Sequence, residues 1–151
     1  MVAWQRWRET VVGCTVILTN GCFDWLHFGH IQLLQNAKFQ AAGSSSVLVV
    51  GVNSDDSVRQ LKGPTRPVIT ETQRLAVIAA LEMVDYCLIF HEKRCDQLLR
   101  KIRPDLWVKG GDYTLDTLDA EERKVATELK TEIKILPYER GISTTTILAR
   151  R

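Results

Sequence analysis

The chain has 151 residues, 45% of them hydrophobic and 25% charged, and its formal net charge is +2. This composition is that of an ordinary soluble globular protein, and the length is sufficient for one domain with a core of its own. A net charge this small gives no reason to expect nucleic acid or a membrane surface as a partner. The N-terminus is too polar for a signal peptide and no apolar run approaches ~20 residues, so we expect a cytoplasmic protein.

The cysteines form no Cys-x-x-Cys pair. They are Cys14, Cys22, Cys87 and Cys95. Each lies within or beside a predicted strand or helix, so we expect reduced thiols that behave as small hydrophobes. A zinc site made by Cys22, His27 and His30 is an alternative, but this spacing fits no standard zinc pattern.

Apolar runs alternate with amphipathic stretches along the whole chain. Residues 1–12 are predicted to form an N-terminal arm or short helix, and residues 13–151 the domain. The predicted strands are 14–19, 47–52, 86–90, 106–109 and 133–136. The predicted helices are 31–42, a short helix capped by 53–56 that ends at residue 61, 70–83, 94–103, 119–130 and one that follows 141–145. Residues 70–73 read as a capping box, and Gly43 as a stop signal.

This alternation predicts an α/β fold: a single Rossmann-like, doubly wound domain with a mostly parallel five-stranded sheet. In such sheets ligands bind beyond the carboxyl ends of the strands, at the switch point of the topology. Four polar or glycine-rich stretches follow strands in this way, namely 20–30, 53–55, 110–112 and 141–145.

The stretch 19–30 is the most informative part of the chain. A glycine-containing turn here joins a buried strand to the N-terminus of a helix, where backbone N–H groups and the helix dipole favour an anion. His27 and His30 stand three residues apart, so both imidazoles can reach one point above the turn. In isolation they would equally suit helix-capping or core histidines. A phosphate group is the ligand that this arrangement predicts.

Further anion-binding groups are predicted at the same edge. Lys62 and Arg66 lie on a breaker-rich loop, and Ser143-Thr144-Thr145 opens another helix. Together these groups suit a triphosphate and a second phosphorylated substrate. Neither a Gly-x-x-x-x-Gly-Lys-Ser/Thr nor a Gly-x-Gly-x-x-Gly motif is present, which disfavours P-loop and dinucleotide-binding interpretations. The alternatives are a solvated Lys62 or Arg66, and an Asp24 that only caps its turn.

Two motifs near opposite ends of the chain carry a resemblance. Gly21-Cys22-Phe23-Asp24 with His27-Phe28-Gly29-His30, together with Gly141-Ile142-Ser143-Thr144-Thr145, resembles the cytidylyltransferase-like nucleotidyltransferase family over roughly residues 13–149. Members of this family join a nucleoside triphosphate to a phosphorylated small molecule and release pyrophosphate.

Within the family, residues 53–68, 80–85 and 108–113 are similar to the heptose-1-phosphate adenylyltransferases, the nucleotidyltransferase half of ADP-heptose synthase. The glycerol-3-phosphate cytidylyltransferases usually carry arginines where this chain has Glu82 and Tyr138, and Gly-Asp-Asp-Trp where it has Gly110-Gly111-Asp112-Tyr113. The kinase half has no counterpart here, so the resemblance implies a stand-alone enzyme. Whether Arg140 replaces the arginine missing at Tyr138 is left open.

The resemblance implies a role for each candidate residue. His27, His30 and Lys62 are the catalytic candidates, which donate hydrogen bonds or charge to the phosphates. The nucleotide-binding candidates are Asn20, Gly21, Cys22, Phe23, Gly29, Lys109, Gly110, Gly111, Asp112, Gly141, Ser143, Thr144 and Thr145. The substrate-binding candidates are Asp24, Asn53, Asp55 and Arg74. Arg66 is a weaker candidate, which we expect to be solvated.

The resemblance also implies the ligands. We expect ATP and D-glycero-D-manno-heptose 1-phosphate as substrates, ADP-heptose as product, Mg²⁺ carried mostly by phosphate oxygens and water, no organic cofactor, and a homodimer. The alternatives are a glycerol-3-phosphate cytidylyltransferase or another sugar- or polyol-phosphate nucleotidyltransferase. A non-catalytic nucleotide-sensing module is a third, and pyrophosphate release distinguishes it from an enzyme.

Overall fold

A computed structural model of the chain describes residues 2–41, 45–111 and 113–137, with side chains from residue 6 onward. Within these ranges, helices and strands alternate as predicted. The strands are β1 (Thr15–Gly21), β2 (Ser46–Asn53), β3 (Tyr86–Phe90), β4 (Leu106–Gly110) and β5 (Glu132–Leu136). The helices are α1 (Val2–Thr10), α2 (Phe28–Lys38), α3 (Asp55–Lys62), α4 (Glu71–Ala79), α5 (Asp96–Ile102) and α6 (Ala120–Glu128).

The five strands form one sheet in the order β3-β2-β1-β4-β5, and every neighbouring pair is parallel. The predicted Rossmann-like five-stranded sheet is confirmed. From β1 the chain builds outward through β2 to β3, then returns to the other side of β1 for β4 and β5. The direction of winding therefore reverses between β1 and β4, and a crevice is expected beyond their carboxyl ends.

Both faces of the sheet are buried, which explains the continuous apolar runs of β1 and β2. On one face Leu18 and Trp107 pack with residues of α5 and α6 such as Leu98. On the other face Ile17 packs with residues of α2 and α4 such as Leu34. Because successive residues of β1 alternate between these two cores, the strand is fixed in register at the centre of the domain.

Helix α2 differs from the prediction at both ends. It begins at Phe28, with His27 as its N-cap residue, and it ends at Lys38 instead of Ala42. The end comes early because the Ser46 hydroxyl donates to the Lys38 carbonyl at 2.9 Å, while the Lys38 ammonium donates to the Ser46 carbonyl. The start of β2 thus satisfies the end of the helix. The predicted stop at Gly43 lies outside the described residues.

Helix α4 was also predicted too long. It ends at Ala79, and two backbone turns follow, in which Leu81 donates to Ile78 and Val84 donates to Leu81. Burial of Leu81 and Val84 against the core outweighs the helical pattern of the sequence there. The other described elements end within two residues of their predicted bounds, and the helix predicted after 141–145 lies outside the described residues. No helix of the described residues is long and apolar enough to cross a membrane.

The predicted capping box at the start of α4 is wrong in its hydrogen bonds. Thr70 is the N-cap residue, but its side chain makes no capping bond. Its hydroxyl lies 3.0 Å from the Gln73 side-chain oxygen, to which it donates. The Glu71 carboxylate instead accepts the Asp55 backbone N–H, the first of α3. The acidic residue that the pattern contains therefore caps the neighbouring helix.

Candidate active site

The loop that joins β1 to α2, residues 22–27, is here called the first loop. Phe23 adopts a left-handed conformation with φ +48°, and its side chain is buried. This conformation folds the Phe23 ring back over Gly21, where a Cβ atom would lie only 3.3 Å from the ring. The Gly-Cys-Phe sequence therefore serves to turn the chain sharply at the end of the strand.

His27 and His30 meet at the N-terminus of α2, as the sequence predicts. Their rings are stacked with centroids 3.8 Å apart and an interplanar angle of 26°. Phe23 packs its ring against His30 at 5.2 Å, edge to face. The Nδ1 atom of His30 is buried and has no hydrogen-bond partner among the described residues. Packing thus orients the His30 ring, and a ligand could supply the missing partner of its Nδ1 atom.

Burial favours the neutral form of both histidines. Burial lowers the pKa of His30 to about 3, and the nearby positive charges of His27 and Lys62 act in the same direction. Burial alone lowers the pKa of His27. A neutral imidazole still donates one N–H bond, which is sufficient to bind a phosphate oxygen. The negative charge of a phosphate would favour the protonated form and strengthen that bond.

Lys109 enters the crevice from the end of β4. Its ammonium is buried and donates to the Asn20 side-chain oxygen at 3.1 Å. It also lies 5.0 Å from the centre of the Trp107 ring and 4.9 Å from that of Tyr113. Trp107 donates its indole N–H to the same Asn20 oxygen. The structure thus brings the predicted Asn20 and Lys109 together, with a cation held by aromatic faces.

Two glycines continue β4 into the turn beside Lys109. A Cβ atom on Gly110 would lie 2.7 Å from the Leu33 side chain of α2, so a larger residue would push the helix away. Gly111 has φ +79°, a backbone conformation that favours glycine. The predicted Gly110 therefore leaves room for the Leu33 side chain, and Gly111 allows the turn that follows β4.

Asp24 of the first loop forms hydrogen bonds with the segment that follows α3. Its carboxylate is buried and accepts from the guanidinium Nε of Arg66 and from the backbone N–H groups of Val68 and Ile69, at 2.7 and 3.0 Å. Arg66 is not solvated as expected, since its side chain is only 12% exposed. The expectation failed because a bond between residues 24 and 66 depends on the topology. No local pattern in the sequence signals it.

Arg74 of α4 is buried and forms a second set of hydrogen bonds that hold the first loop in place. Its guanidinium donates to the carbonyls of Cys22 and Ile69 and to the Asp55 carboxylate, the last at 2.7 Å. Asn53 donates to the Ser57 hydroxyl at 2.9 Å. The four predicted substrate-binding residues thus lie around the first loop, and each bonds to another part of the protein.

Lys62 is exposed at the end of α3, where Gly63 with φ +95° turns the chain. Its positive charge lowers the pKa of His30, and it also opposes the rise in pKa that burial gives the Cys22 thiol. Lys62, predicted to lie on a loop, is the last residue of α3, and its charge acts on the first loop from there. The structure brings all three predicted catalytic side chains to one edge of the sheet.

Gly29 is buried in the first turn of α2, between the two histidines. The other predicted nucleotide-binding residues lie outside the described part of the chain. They are Asp112, Gly141, Ser143, Thr144 and Thr145.

The described residues contain no group of three or more His, Cys, Asp or Glu side chains that could hold a metal ion. The carboxylates nearest the first loop, Asp24 and Asp55, already bind Arg66 and Arg74. Asp112, which also follows β4, lies outside the described residues, so the expected Mg²⁺ stays a prediction. All four cysteines are free thiols.

A broad groove of about 1180 Å³ lies elsewhere, between α1, α5 and the end of β3. None of the predicted site residues lines it. Its charged side chains are of both signs, for example Arg8 and Asp105, which bind each other at 2.9 Å. The chemistry at the ends of β1 and β4 therefore identifies the candidate site better than cavity size does.

A doubly wound parallel sheet, with two stacked histidines where the first loop meets the N-terminus of α2, is the framework of a nucleotidyltransferase. Residues 18–150 match the cytidylyltransferase-like family, and the chain belongs to this family. The family assignment favours an enzyme over the non-catalytic sensing module.

Two relatives are similar to this chain over most of its length. The chain is 45% identical over 136 residues to the bifunctional protein HldE of Campylobacter fetus, covering 90% of this chain and 28% of that protein. It is 42% identical over 146 residues to HldE of Wolinella succinogenes, covering 97% of this chain and again 28% of the relative. The predicted resemblance to the nucleotidyltransferase half of ADP-heptose synthase is thereby confirmed. The chain spans little more than a quarter of these relatives.

Solved structures agree with the fold. A lipopolysaccharide core biosynthesis protein from Thermoplasma volcanium is 30% identical with a TM-score of 0.67, covering 86% of this chain and all of that one. Pantoate-β-alanine ligase from Francisella tularensis has a TM-score of 0.56 at 14% identity, covering 97% of this chain and 73% of the ligase. The second likeness shows the fold alone.

Proposed function

We propose that this protein transfers an adenylyl group from ATP to D-glycero-D-manno-heptose 1-phosphate, forming ADP-heptose and pyrophosphate. The stacked pair of His27 and His30 at the N-terminus of α2 carries the proposal, because it places two phosphate-binding side chains at the switch point of the sheet. The similarity to HldE and to a lipopolysaccharide core biosynthesis protein supports the choice of sugar.

The chemistry needs little from the protein beyond positioning and charge. An oxygen of the sugar phosphate is already an anion, so it attacks the α-phosphorus of ATP without a general base. The bond between the α-phosphorus and the bridging oxygen breaks, and pyrophosphate leaves in line. His27 and His30 donate hydrogen bonds to the phosphates as charge moves onto the leaving group. Lys62 adds its charge from the C-terminal end of α3.

The strand order divides the crevice between the two substrates. The loops after β2 and α3 lie on one side of β1, and the turn after β4 lies on the other. We place the nucleoside on the β4 side, near Asn20, Lys109 and Gly110, and the acceptor sugar phosphate on the β2 side. The α-phosphate then lies between them, over the end of β1 and beside the two histidines.

Four acidic, amide and basic residues act as positioning residues in this account. Asp24, Asn53, Asp55 and Arg74 bind the first loop, α3 and α4 to one another. They shape the acceptor side of the crevice by fixing these segments. Mg²⁺ enters as the ATP complex, since the described carboxylates at this edge already have partners.

A second candidate is a related reaction with CTP and glycerol 3-phosphate. Exposed Glu82 takes the position at which that branch usually has an arginine, which favours the heptose reaction.

We also propose a homodimer, with exposed Val68, which precedes α4, and exposed Val77 within α4 as candidates for contact. Light scattering of the purified chain measures its mass directly.

The test is pyrophosphate release with Mg²⁺ over a grid of ATP, CTP, GTP and UTP against heptose 1-phosphate and glycerol 3-phosphate. We expect turnover with ATP and heptose 1-phosphate. Preferred turnover of CTP with glycerol 3-phosphate would keep the nucleotidyltransferase and refute the substrate assignment. No turnover in any combination, with a folded protein, would contradict the proposed reaction.

A further inference from the structure

Only part of the hydrogen-bonding capacity of the Arg66 guanidinium is satisfied. Its Nε donates to one oxygen of the Asp24 carboxylate, while its Nη2 is buried without a hydrogen-bond partner among the described residues. A guanidinium usually engages a carboxylate or phosphate through two parallel N–H bonds. Here one half of that fork is occupied and the other half is left buried without a partner.

The Asp24 carboxylate cannot readily supply the second bond. Its other oxygen already accepts from the backbone N–H groups of Val68 and Ile69. Asp24 therefore orients the guanidinium without saturating it. Leaving a buried charged N–H without a partner is unfavourable, so its persistence points to a ligand that completes it.

The position of Arg66 identifies that ligand. Its charge acts on the thiol of Cys22 in the first loop, together with the charge of Lys62. Its loop follows α3 and so lies on the β2 side of β1, opposite the turn after β4. In the division of the crevice given above, this is the side of the acceptor substrate.

We propose that Nη2 of Arg66 binds the phosphate of the acceptor sugar phosphate and thereby aims its oxygen at the α-phosphorus. This inference rests on the proposed function, because it assigns the acceptor to this side of the site. Arg66 contacts the substrate, whereas Asp24 acts through Arg66 and is a positioning residue. The guanidinium binds the phosphate group, whichever sugar is attached to it.

The kinetic test compares Arg66→Lys with Arg59→Lys. The lysine at 66 keeps the charge and can still pair with Asp24, but it lacks the second N–H group of the fork. The Arg59 guanidinium is exposed and pairs only with Asp56 among the described residues, so the same substitution there is a matched control. We expect Arg66→Lys to raise KM for the sugar phosphate about ten- to a hundredfold, with KM for ATP within about twofold. Arg59→Lys should change neither.

A binding test separates this inference from the proposed reaction. Mg²⁺ and α,β-methylene-ATP fill the nucleotide side, and the dissociation constant of inorganic phosphate is then measured by calorimetry. We expect Arg66→Lys to weaken phosphate binding at least about tenfold relative to wild type and Arg59→Lys. This measurement needs no turnover, so wild-type protein that binds phosphate but forms no product contradicts the reaction and not the subsite.

Three results would overturn the inference. The first is an equal rise in KM for both substrates, and the second is unchanged phosphate binding in a folded Arg66→Lys variant. The third is loss of folding, seen by thermal unfolding, in both Arg66→Lys and Arg66→Gln. Arg66 would then serve the structure of the loop alone.

Discussion

The two histidines show how packing fixes the orientation of side chains that we propose as catalytic. Stacking against His27 and the edge of Phe23 fixes the His30 ring before any ligand arrives. Burial keeps the ring neutral, and one nitrogen remains without a partner among the described residues. A donor that is already oriented loses little entropy when the transition state forms, which is the basis of electrostatic catalysis at such sites.

We expect His30→Ala to lower kcat by ~10²-fold, by comparison with the loss of one preorganised oxyanion donor. His91→Ala is the control, because His91 is exposed and lines the groove beside α5, away from the first loop. Steady-state pyrophosphate release measures both variants. Full activity in His30→Ala, with the control also active, would refute the catalytic role.

The lowered pKa of His30 predicts a pH dependence of stability. The folded state binds this proton only near pH 3, whereas the unfolded state binds it near the ordinary value of 6.5. Between these values the unfolded state holds more protons, so the free energy of unfolding falls as the pH is lowered from 6.5 toward 3. Urea unfolding of wild type and His30→Gln should show a stability difference that changes over this window. A difference independent of pH would contradict the burial of a neutral ring.

At this scale the sequence predicted the histidines but not their surroundings. A strand, a glycine turn and a helix start are local features, so the spacing of His27 and His30 sufficed to place both rings at one site. Arg66 was expected to be solvated, but only 12% of its side chain is exposed. No local signal in the sequence indicates this contact, because its partner Asp24 is distant in the chain. The roles of the predicted binding residues stay predictions.

Between the elements, the loops are held by buried charges. Asp24 accepts three hydrogen bonds from the segment that follows α3, and its side chain is 1% exposed. Arg74 binds three separate segments from within α4. This side of the crevice, where we propose that the acceptor binds, is therefore formed by loops whose positions depend on a few ionic contacts.

We expect Asp24→Ala to lower the free energy of unfolding by about 3 kcal/mol, because it leaves Arg66 and two backbone N–H groups without their partner. Asp56→Ala is the matched control: its carboxylate is 81% exposed and pairs with Arg59 on the surface of α3. That change should cost less than about 1 kcal/mol. If both substitutions lower the free energy of unfolding equally, as measured with urea, the buried contacts of Asp24 contribute nothing beyond a surface ion pair.

We expect Lys62→Ala to lower kcat by ~10²-fold with little change in stability, because the side chain is exposed yet its charge reaches His30. Lys124→Ala, on the exposed face of α6, removes the same charge at a distance and should leave kcat unchanged. Comparable losses in both variants would reduce the role of Lys62 to general electrostatics.

Helix ends were the least predictable feature at this scale. The sequence pattern predicted that α2 ends at Ala42, but its hydrogen bond with the Ser46 hydroxyl ends it earlier. The pattern likewise predicted that α4 ends at Met83, but burial of Leu81 shortens it. Both causes come from neighbours in space. The strands were predicted closely, because their apolar runs are bounded by turn residues on either side.

For the whole molecule, the order of the strands explains the site. The alternation of strands and helices in the sequence predicted a doubly wound sheet, and the observed order places the end of β1 at its switch point. The proposed placement of the nucleoside and the acceptor on opposite sides of β1 rests on the same order. Pattern alone could not predict how the loops after β1 and α3 bind each other.

The most direct test of this account follows the acceptor's oxygens. Heptose 1-phosphate labelled with ¹⁸O at its non-bridging phosphate oxygens is incubated with unlabelled ATP and Mg²⁺, and the products are analysed by mass spectrometry. Attack on the α-phosphorus predicts ADP-heptose that retains every label and pyrophosphate that carries none. Formation of ADP with a sugar bisphosphate, or of AMP with a pyrophosphorylated sugar phosphate, would contradict nucleotidyl transfer at this site.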